Sequence, residues 1–121
     1  MDRIEAGLLI PGEGQPVRDG VVLVDGAAIR YAGPASNAPD APGATSVTAM
    51  AVMPGMWDCH GHFLGTRSMD LAKLPQEPTA QRSARAAHDL HNTINAGITS
   101  VREVGGLGIH LAKVVARVDG E

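Results

Sequence analysis

The sequence predicts an α/β protein with a β-rich first half followed by alternating strands and helices. Three observations carry this prediction. Short apolar runs separated by Asp-Gly and Pro-Gly turns fill the chain up to residue 54. A helical spacing of apolar residues covers residues 79–96, and a β-rich run at residues 98–104 separates it from a second helical stretch. The order strand, helix, strand, helix is typical of consecutive units of parallel α/β structure.

The first half is predicted to be a β meander. Its strands cover residues 4–10, 21–24, 27–31 and 47–53. Asp25-Gly26 lies between two apolar runs, and this dipeptide favours a hairpin because both turn positions adopt positive φ. Residues 33–43 contain three prolines and have no apolar period, which predicts an exposed loop.

The first helix of the second half is predicted to begin with Thr79 as its N-cap and to end at Gly97. Its apolar stripe would face inward and its polar residues outward. The expected inward residues are Ala84, Ala87, Leu90 and Ile94, and the expected outward residues are Arg82, Arg85, Asp89 and Asn92. The second helix should follow the glycine-rich turn 105–108 and run to about residue 118.

Composition excludes several classes of function. With 44% hydrophobic and 19% charged residues in 121, disorder is not expected. A net charge of −3 without a basic stripe argues against a nucleic-acid partner. No apolar run approaches the roughly 20 residues that a membrane span needs, and no signal peptide begins the chain. These features predict a cytoplasmic protein.

Cysteine and aromatic residues are scarce. The lone Cys59 excludes an internal disulfide and any CxxC motif, and it is expected to be a small buried apolar residue. The chain has only three aromatic residues but 15 glycines and 8 prolines, so it has few large apolar side chains with which to build a dense core. We therefore expect that the chain is not a complete folding unit.

The segment around His60 and His62 carries the clearest chemical pattern. On a regular strand, Asp58, His60 and His62 would share one face, with Trp57, Cys59 and Phe63 packed on the other. Two imidazoles at positions i and i+2 can bind one divalent ion from the same side. The alternative is a pair of solvated or hydrogen-bonded histidines at a strand end.

The turn Gly105-Gly106-Leu107-Gly108 carries a weaker signal. Its backbone amides could hold an anion at the start of the second helix, although the sequence favours a plain turn between strand and helix. A dinucleotide-binding fingerprint starting at Gly106 would need glycine at position 111, where the chain has Leu111, so that interpretation fails.

Three stretches together resemble the amidohydrolase superfamily of metal-dependent hydrolases. Residues 52–62 (VMPGMWDCHGH) resemble its first barrel strand, with a Pro-Gly turn before Asp-x-His-x-His. Residues 16–29 are similar to its small N-terminal β-sandwich, and residues 96–106 to its second barrel strand. The branch with the greatest likeness holds imidazolonepropionase-like enzymes, Xaa-Pro dipeptidases and ochratoxin-type amidases.

This resemblance implies β-sandwich strands in residues 1–53 and, in residues 54–121, the first two βα units of a TIM-like (β/α)8 barrel. It implies that His60 and His62 bind one or two divalent ions, usually zinc, with manganese and iron left open. The ion would activate water for attack on the C–N bond of a dipeptide-like or N-acyl amino acid substrate. Asp58, Arg102 and Glu103 become candidates for supporting the metal or lining the substrate.

The chain also departs from the superfamily pattern. Lys73 and Lys113 do not match the family's metal-bridging lysine, and the general base is expected beyond Glu121. A whole barrel needs about 200 residues or more. We therefore expect the N-terminal part of a longer enzyme. The alternative is a non-catalytic truncated fragment or structural module that needs a complementary chain or forms a homo-oligomer.

Overall fold

The computed structural model describes the backbone of residues 1–118 and the side chains of residues 1–114. The strands are β1 (Asp2–Leu9), β2 (Val17–Asp25), β3 (Ala28–Pro34), β4 (Thr45–Val52), β5 (Met56–Gly61) and β6 (Ile98–Glu103). The α-helices are α1 (Thr79–Asn95) and α2 (Gly108–Val118), and short 3-10 helices cover Ala35–Asn37 and Leu71–Gln76. The chain divides into two compact units, Met1–Pro54 and Gly55–Glu121, which are described separately.

The first unit is one four-stranded sheet with the strand order β3-β2-β1-β4. The predicted meander is correct for β1, β2 and β3, which pair antiparallel, but wrong for β4, which pairs parallel with β1. Residues 35–44 connect β3 at one edge of the sheet to β4 at the other edge. Ala6, Leu9 and Val22 form the buried cluster of this sheet.

The predicted hairpin joins β2 to β3, with its turn one residue later than the sequence suggested. The turn residues are Gly26, at a φ of 58°, and Ala27. Asp25 instead ends β2, and its carboxylate pairs with Arg30 at 3.2 Å on the exposed side of the hairpin.

The second unit contains a β-α-β unit, since β5 and β6 pair in parallel and α1 connects them. The predicted helix end is confirmed: Gly97 adopts a φ of 88°, and its N–H donates to the carbonyl of Ile94 at 2.9 Å. The predicted N-cap is wrong by one residue, because Thr79 is already helical and Pro78 occupies the N-cap position. Among residues 1–118, no helix has both the length and the apolar character needed to cross a membrane.

The inward face of α1 differs from the predicted one. Ala86 is the fully buried residue of the helix, and Arg82 and Arg85 are half-buried, whereas Ile94 is 57% exposed. Both arginines lie inward because they find hydrogen-bond acceptors on the segment that follows β5. A pattern of apolar residues alone could not reveal such partners.

Candidate metal centre

His60 and His62 lie at the carboxyl end of β5, where the strand is irregular. Asp58 pairs with Val101 and Gly61 pairs with Glu103, so β5 advances three residues while β6 advances two. This bulge interrupts the strict alternation that the sequence predicts for β5. Accordingly, the predicted apolar face is only partly correct.

Of the three residues predicted on that face, Phe63 alone is buried. Trp57 is 72% exposed, and Cys59 is exposed as well, so both expectations are wrong for this chain. The bulge accounts for Cys59 because this residue lies inside it, between the paired positions of Asp58 and Gly61.

The two imidazole rings meet despite the bulge. Their centroids are 5.2 Å apart, the ring planes cross at 68°, and both residues are exposed. Two imidazoles that bind one tetrahedral zinc ion through N–Zn bonds of ~2.0–2.1 Å place their ring centroids roughly 5 Å apart. The spacing of His60 and His62 therefore fits two ligands of a single ion.

A glycine separates the two histidines and lies against β6. Gly61 is buried, and a Cβ added there would stand 2.6 Å from Cγ1 of Val101. The absence of a side chain thus allows β6 to approach β5 closely at the level of the histidines.

The loop between β6 and α2 holds the segment that contains His62. Nδ1 of His62 lies 2.7 Å from the carbonyl oxygen of Gly105. The N–H of Val104 donates to Gly61 O at 3.1 Å, and the N–H of Leu107 donates to Phe63 O at 2.8 Å. Backbone contacts therefore fix the residues on both sides of His62.

Glu103 ends β6 and contacts the same segment. Its carboxylate accepts the N–H of Phe63, at 3.3 Å to Oε1 and 3.4 Å to Oε2. The carboxylate also lies so close to Gly106 and Gly108 that a Cβ on either residue would overlap it. The position that the sequence suggested for a bound anion is therefore occupied by the protein's own carboxylate.

The other two predicted site residues have separate surroundings. Oδ1 of Asp58 accepts the backbone N–H of His60 at 3.0 Å, which steadies the bulge without touching an imidazole. Arg102 is exposed on β6. The structure thus brings Asp58 and Glu103 to the backbone around the histidines and leaves Arg102 at the surface of this chain.

The sequence pattern did not predict a hydrogen-bond network that joins residues 64–78 to α1. Nε of Arg82 donates to Leu64 O at 3.1 Å, and Nη1 of Arg85 donates to Gly65 O at 2.7 Å. Arg85 also forms a short ion pair with Glu77. Hydrogen bonding from Arg85 holds the pKa of Glu77 below its ordinary value, against the opposing effect of desolvation. These contacts fasten the segment after the histidines to α1.

Two histidines are fewer ligands than a protein zinc site uses. Within the described part of the chain, no group of three or more histidine, cysteine, aspartate or glutamate side chains is arranged to hold a metal ion. The pair therefore fits part of a metal site, and the described residues do not complete it.

Comparisons with known proteins place this geometry in context. No protein-family model matches the chain. Ochratoxinase from Aspergillus niger is 32% identical over 117 residues, which cover 93% of this chain and 24% of that protein. Its crystal structure matches with a TM-score of 0.84 at 31% identity, covering 96% of this chain and 28% of that one.

Two further relatives agree with this likeness. Imidazolonepropionase from Micrococcus luteus is 33% identical over 105 residues, covering 85% of this chain and 23% of that protein. The crystal structure of an Xaa-Pro dipeptidase with methionine bound in its active site matches with a TM-score of 0.79 at 25% identity, covering 99% of this chain and 31% of that one. The chain spans about a quarter of the length of the curated relatives it matches.

Proposed function

We propose that this chain, which belongs to the amidohydrolase superfamily, supplies two metal ligands to a hydrolase that cleaves C–N bonds. The two ligands are His60 and His62. The observation that carries the proposal is the pair of imidazole rings, 5.2 Å apart at the carboxyl end of a parallel strand. Active-site groups of barrel enzymes lie at that end of the strands. The remaining ligands and the general base would come from residues outside those described.

Zinc is the ion we propose, because imidazole is among its preferred ligands, although manganese and iron also accept imidazole. When bound, the ion would supply a Lewis acid and an activated water for attack on a carbonyl carbon. The chain's own residues would hold the two imidazoles in place. Asp58 steadies the backbone of His60, and Glu103 steadies that of Phe63.

The proposed architecture of the whole protein consists of a small β-sandwich and a TIM-like barrel. Residues 1–53 would contribute sandwich strands, and residues 54–121 would contribute the first two βα units. The parallel pairing of β5 with β6 through α1 supports the second assignment. Arg102, exposed at the end of β6, would line the substrate.

The proposed substrate is a dipeptide-like compound or an N-acyl amino acid. Its support is the likeness to an Xaa-Pro dipeptidase and to ochratoxinase. A panel of such compounds, offered to the zinc-loaded whole protein, tests this assignment. Hydrolysis of esters alone, with no amide or peptide cleaved, would contradict it.

Substitution of the histidines tests the metal assignment. In the whole protein, His60→Ala and His62→Ala should each lower the zinc content measured by mass spectrometry and abolish turnover. His88→Ala is the matched control, since His88 is exposed on α1 of the same unit. Retention of metal and activity in both variants would refute the proposed function.

The alternative of a non-catalytic module rests on the incomplete ligand set of the described residues. It predicts that the 121-residue chain by itself does not hydrolyse these substrates when zinc is added. Zinc-dependent turnover by the homogeneous chain would contradict the alternative.

A further inference from the structure

We infer that the carbonyl of Gly105 selects the tautomer of His62, which makes Gly105 a positioning residue for the metal site. The inference rests on the proposed function for the identity of the bound ion, but the tautomer itself is a property of the chain. The contact that carries it is the 2.7 Å separation between His62 Nδ1 and Gly105 O.

The chemistry of the two groups leaves one arrangement. A backbone carbonyl oxygen only accepts hydrogen bonds, so the proton of this short contact belongs to Nδ1. A neutral imidazole carries one proton, and Nε2 of His62 is then left with a free lone pair. A metal ion therefore meets Nε2 as its ligand atom. Metal-binding histidines ordinarily gain their orientation from a hydrogen bond of this kind on the opposite nitrogen.

The surrounding contacts keep the Gly105 carbonyl in place. Gly105 adopts a φ of 146°, which disfavours other residues, and a Cβ there would stand 3.9 Å from His62 Nδ1. The next residue is packed tightly, because a Cβ on Gly106 would be 2.5 Å from Glu103 Oε1 and 3.0 Å from the carbonyl carbon of Phe63. Glu103 in turn accepts the N–H of Phe63. The loop and the histidine segment are thus joined on both sides of the Nδ1 contact.

Nitrogen NMR of the imidazole side chains tests the inference without relying on activity. In the metal-free protein labelled with nitrogen-15, at a pH where the ring is neutral, His62 should show a protonated Nδ1 and an unprotonated Nε2. Added zinc should shift the Nε2 resonance of His62 and leave Nδ1 protonated. The exposed His88 provides the reference spectrum.

Gly106→Ala provides the perturbation. The added methyl group must move the loop away from Glu103 and Phe63, and the Gly105 carbonyl moves with it. We expect the His62 nitrogen shifts to move toward an average of both tautomers, and zinc affinity to fall about tenfold to a hundredfold. Gly14→Ala is the matched control, because Gly14 has a positive φ of 80°, as Gly106 does at 158°, but has no atom within 4 Å of an added Cβ.

The outcomes separate this inference from the proposed function. A proton on Nε2 of His62 in the metal-free protein would overturn the inference, even if zinc binds. Unchanged His62 shifts in a folded Gly106→Ala variant would overturn it as well. A protonated Nδ1 together with no response of either imidazole to zinc would support the inference and refute the proposed function.

Discussion

Substitution of Gly61 by alanine tests whether the close approach of β6 to β5 sets the geometry of the histidine pair. Gly61 is buried between His60 and His62, and its added Cβ would lie 2.6 Å from Val101 Cγ1. Carbon atoms prefer separations of about 3.5–4.0 Å, so one strand must move by about 1 Å or the valine must rotate. Valine has a stiff χ1 torsion because it is branched at Cβ, which makes rotation costly.

The expected cost follows from this overlap. Overpacking by one methyl group in a packed site costs roughly 1–3 kcal/mol, and we expect about 2 kcal/mol for Gly61→Ala. Val101→Ala removes the atom that the new methyl group would meet. The double variant should therefore have a free energy of unfolding within about 0.5 kcal/mol of Val101→Ala alone, rather than the sum of both losses.

Urea unfolding followed by circular dichroism measures these free energies, and imidazole NMR shifts report the histidine pair. Gly61→Ala should change the shifts of both His60 and His62, and the double variant should restore them. If Gly61→Ala is as stable as the parent chain, or if the two losses simply add, the contact between Gly61 and Val101 does not hold the strands together as we argue.

Three further predictions concern the same unit. Arg85 lowers the pKa of Glu77, so the resulting stabilisation is complete above the ordinary glutamate pKa of about 4.3 and is lost as the pH falls through the lower folded value. In urea unfolding measured at a series of acid pH values, Glu77→Gln should reduce the dependence of the free energy of unfolding on pH. Lys73→Gln, which breaks an exposed ion pair, should leave that dependence unchanged. Phe63→Ala should cost about 3 kcal/mol in urea unfolding, since Phe63 is buried. Cys59 is exposed, so a thiol reagent should label it as fast in the native chain as in urea. Cys59→Ser should change the free energy of unfolding by less than about 0.5 kcal/mol. Slow labelling of the native chain would contradict the exposed position of Cys59.

Elements with strong local signals could be predicted from the sequence. The Asp25-Gly26 pair indicated the β2–β3 hairpin, and Gly97 indicated the end of α1, because each depends on the φ preference of a single residue. The parallel pairing of β4 with β1 could not be predicted in this way. Nothing in β4 itself distinguishes an antiparallel neighbour from a parallel one, so the pairing depends on the whole sheet.

The site shows the same division between local and long-range information. The pair His60 and His62 was visible as a motif, but the bulge that exposes Cys59 arises from the register of β5 against β6. The inward position of Arg82 and Arg85 depends on carbonyl groups of a segment 18 and 20 residues earlier in the chain. Charge and helical period together predicted a solvated face for these arginines, and only the folded segment supplies their partners.

The contacts around His62 explain why glycines are concentrated beside the proposed metal ligands. An imidazole on an exposed strand end has several rotamers and two tautomers, and a metal ion would have to select one of them at a cost in binding free energy. Gly61 lets β6 approach, Gly105 presents its carbonyl to Nδ1, and Gly106 leaves room for Glu103 against Phe63. Each position uses the absence of a side chain to bring backbone or carboxylate groups to the histidine segment. In the proposed metal site, these contacts would set the orientation of His62 before an ion binds, and a substitution at these glycines should weaken metal binding.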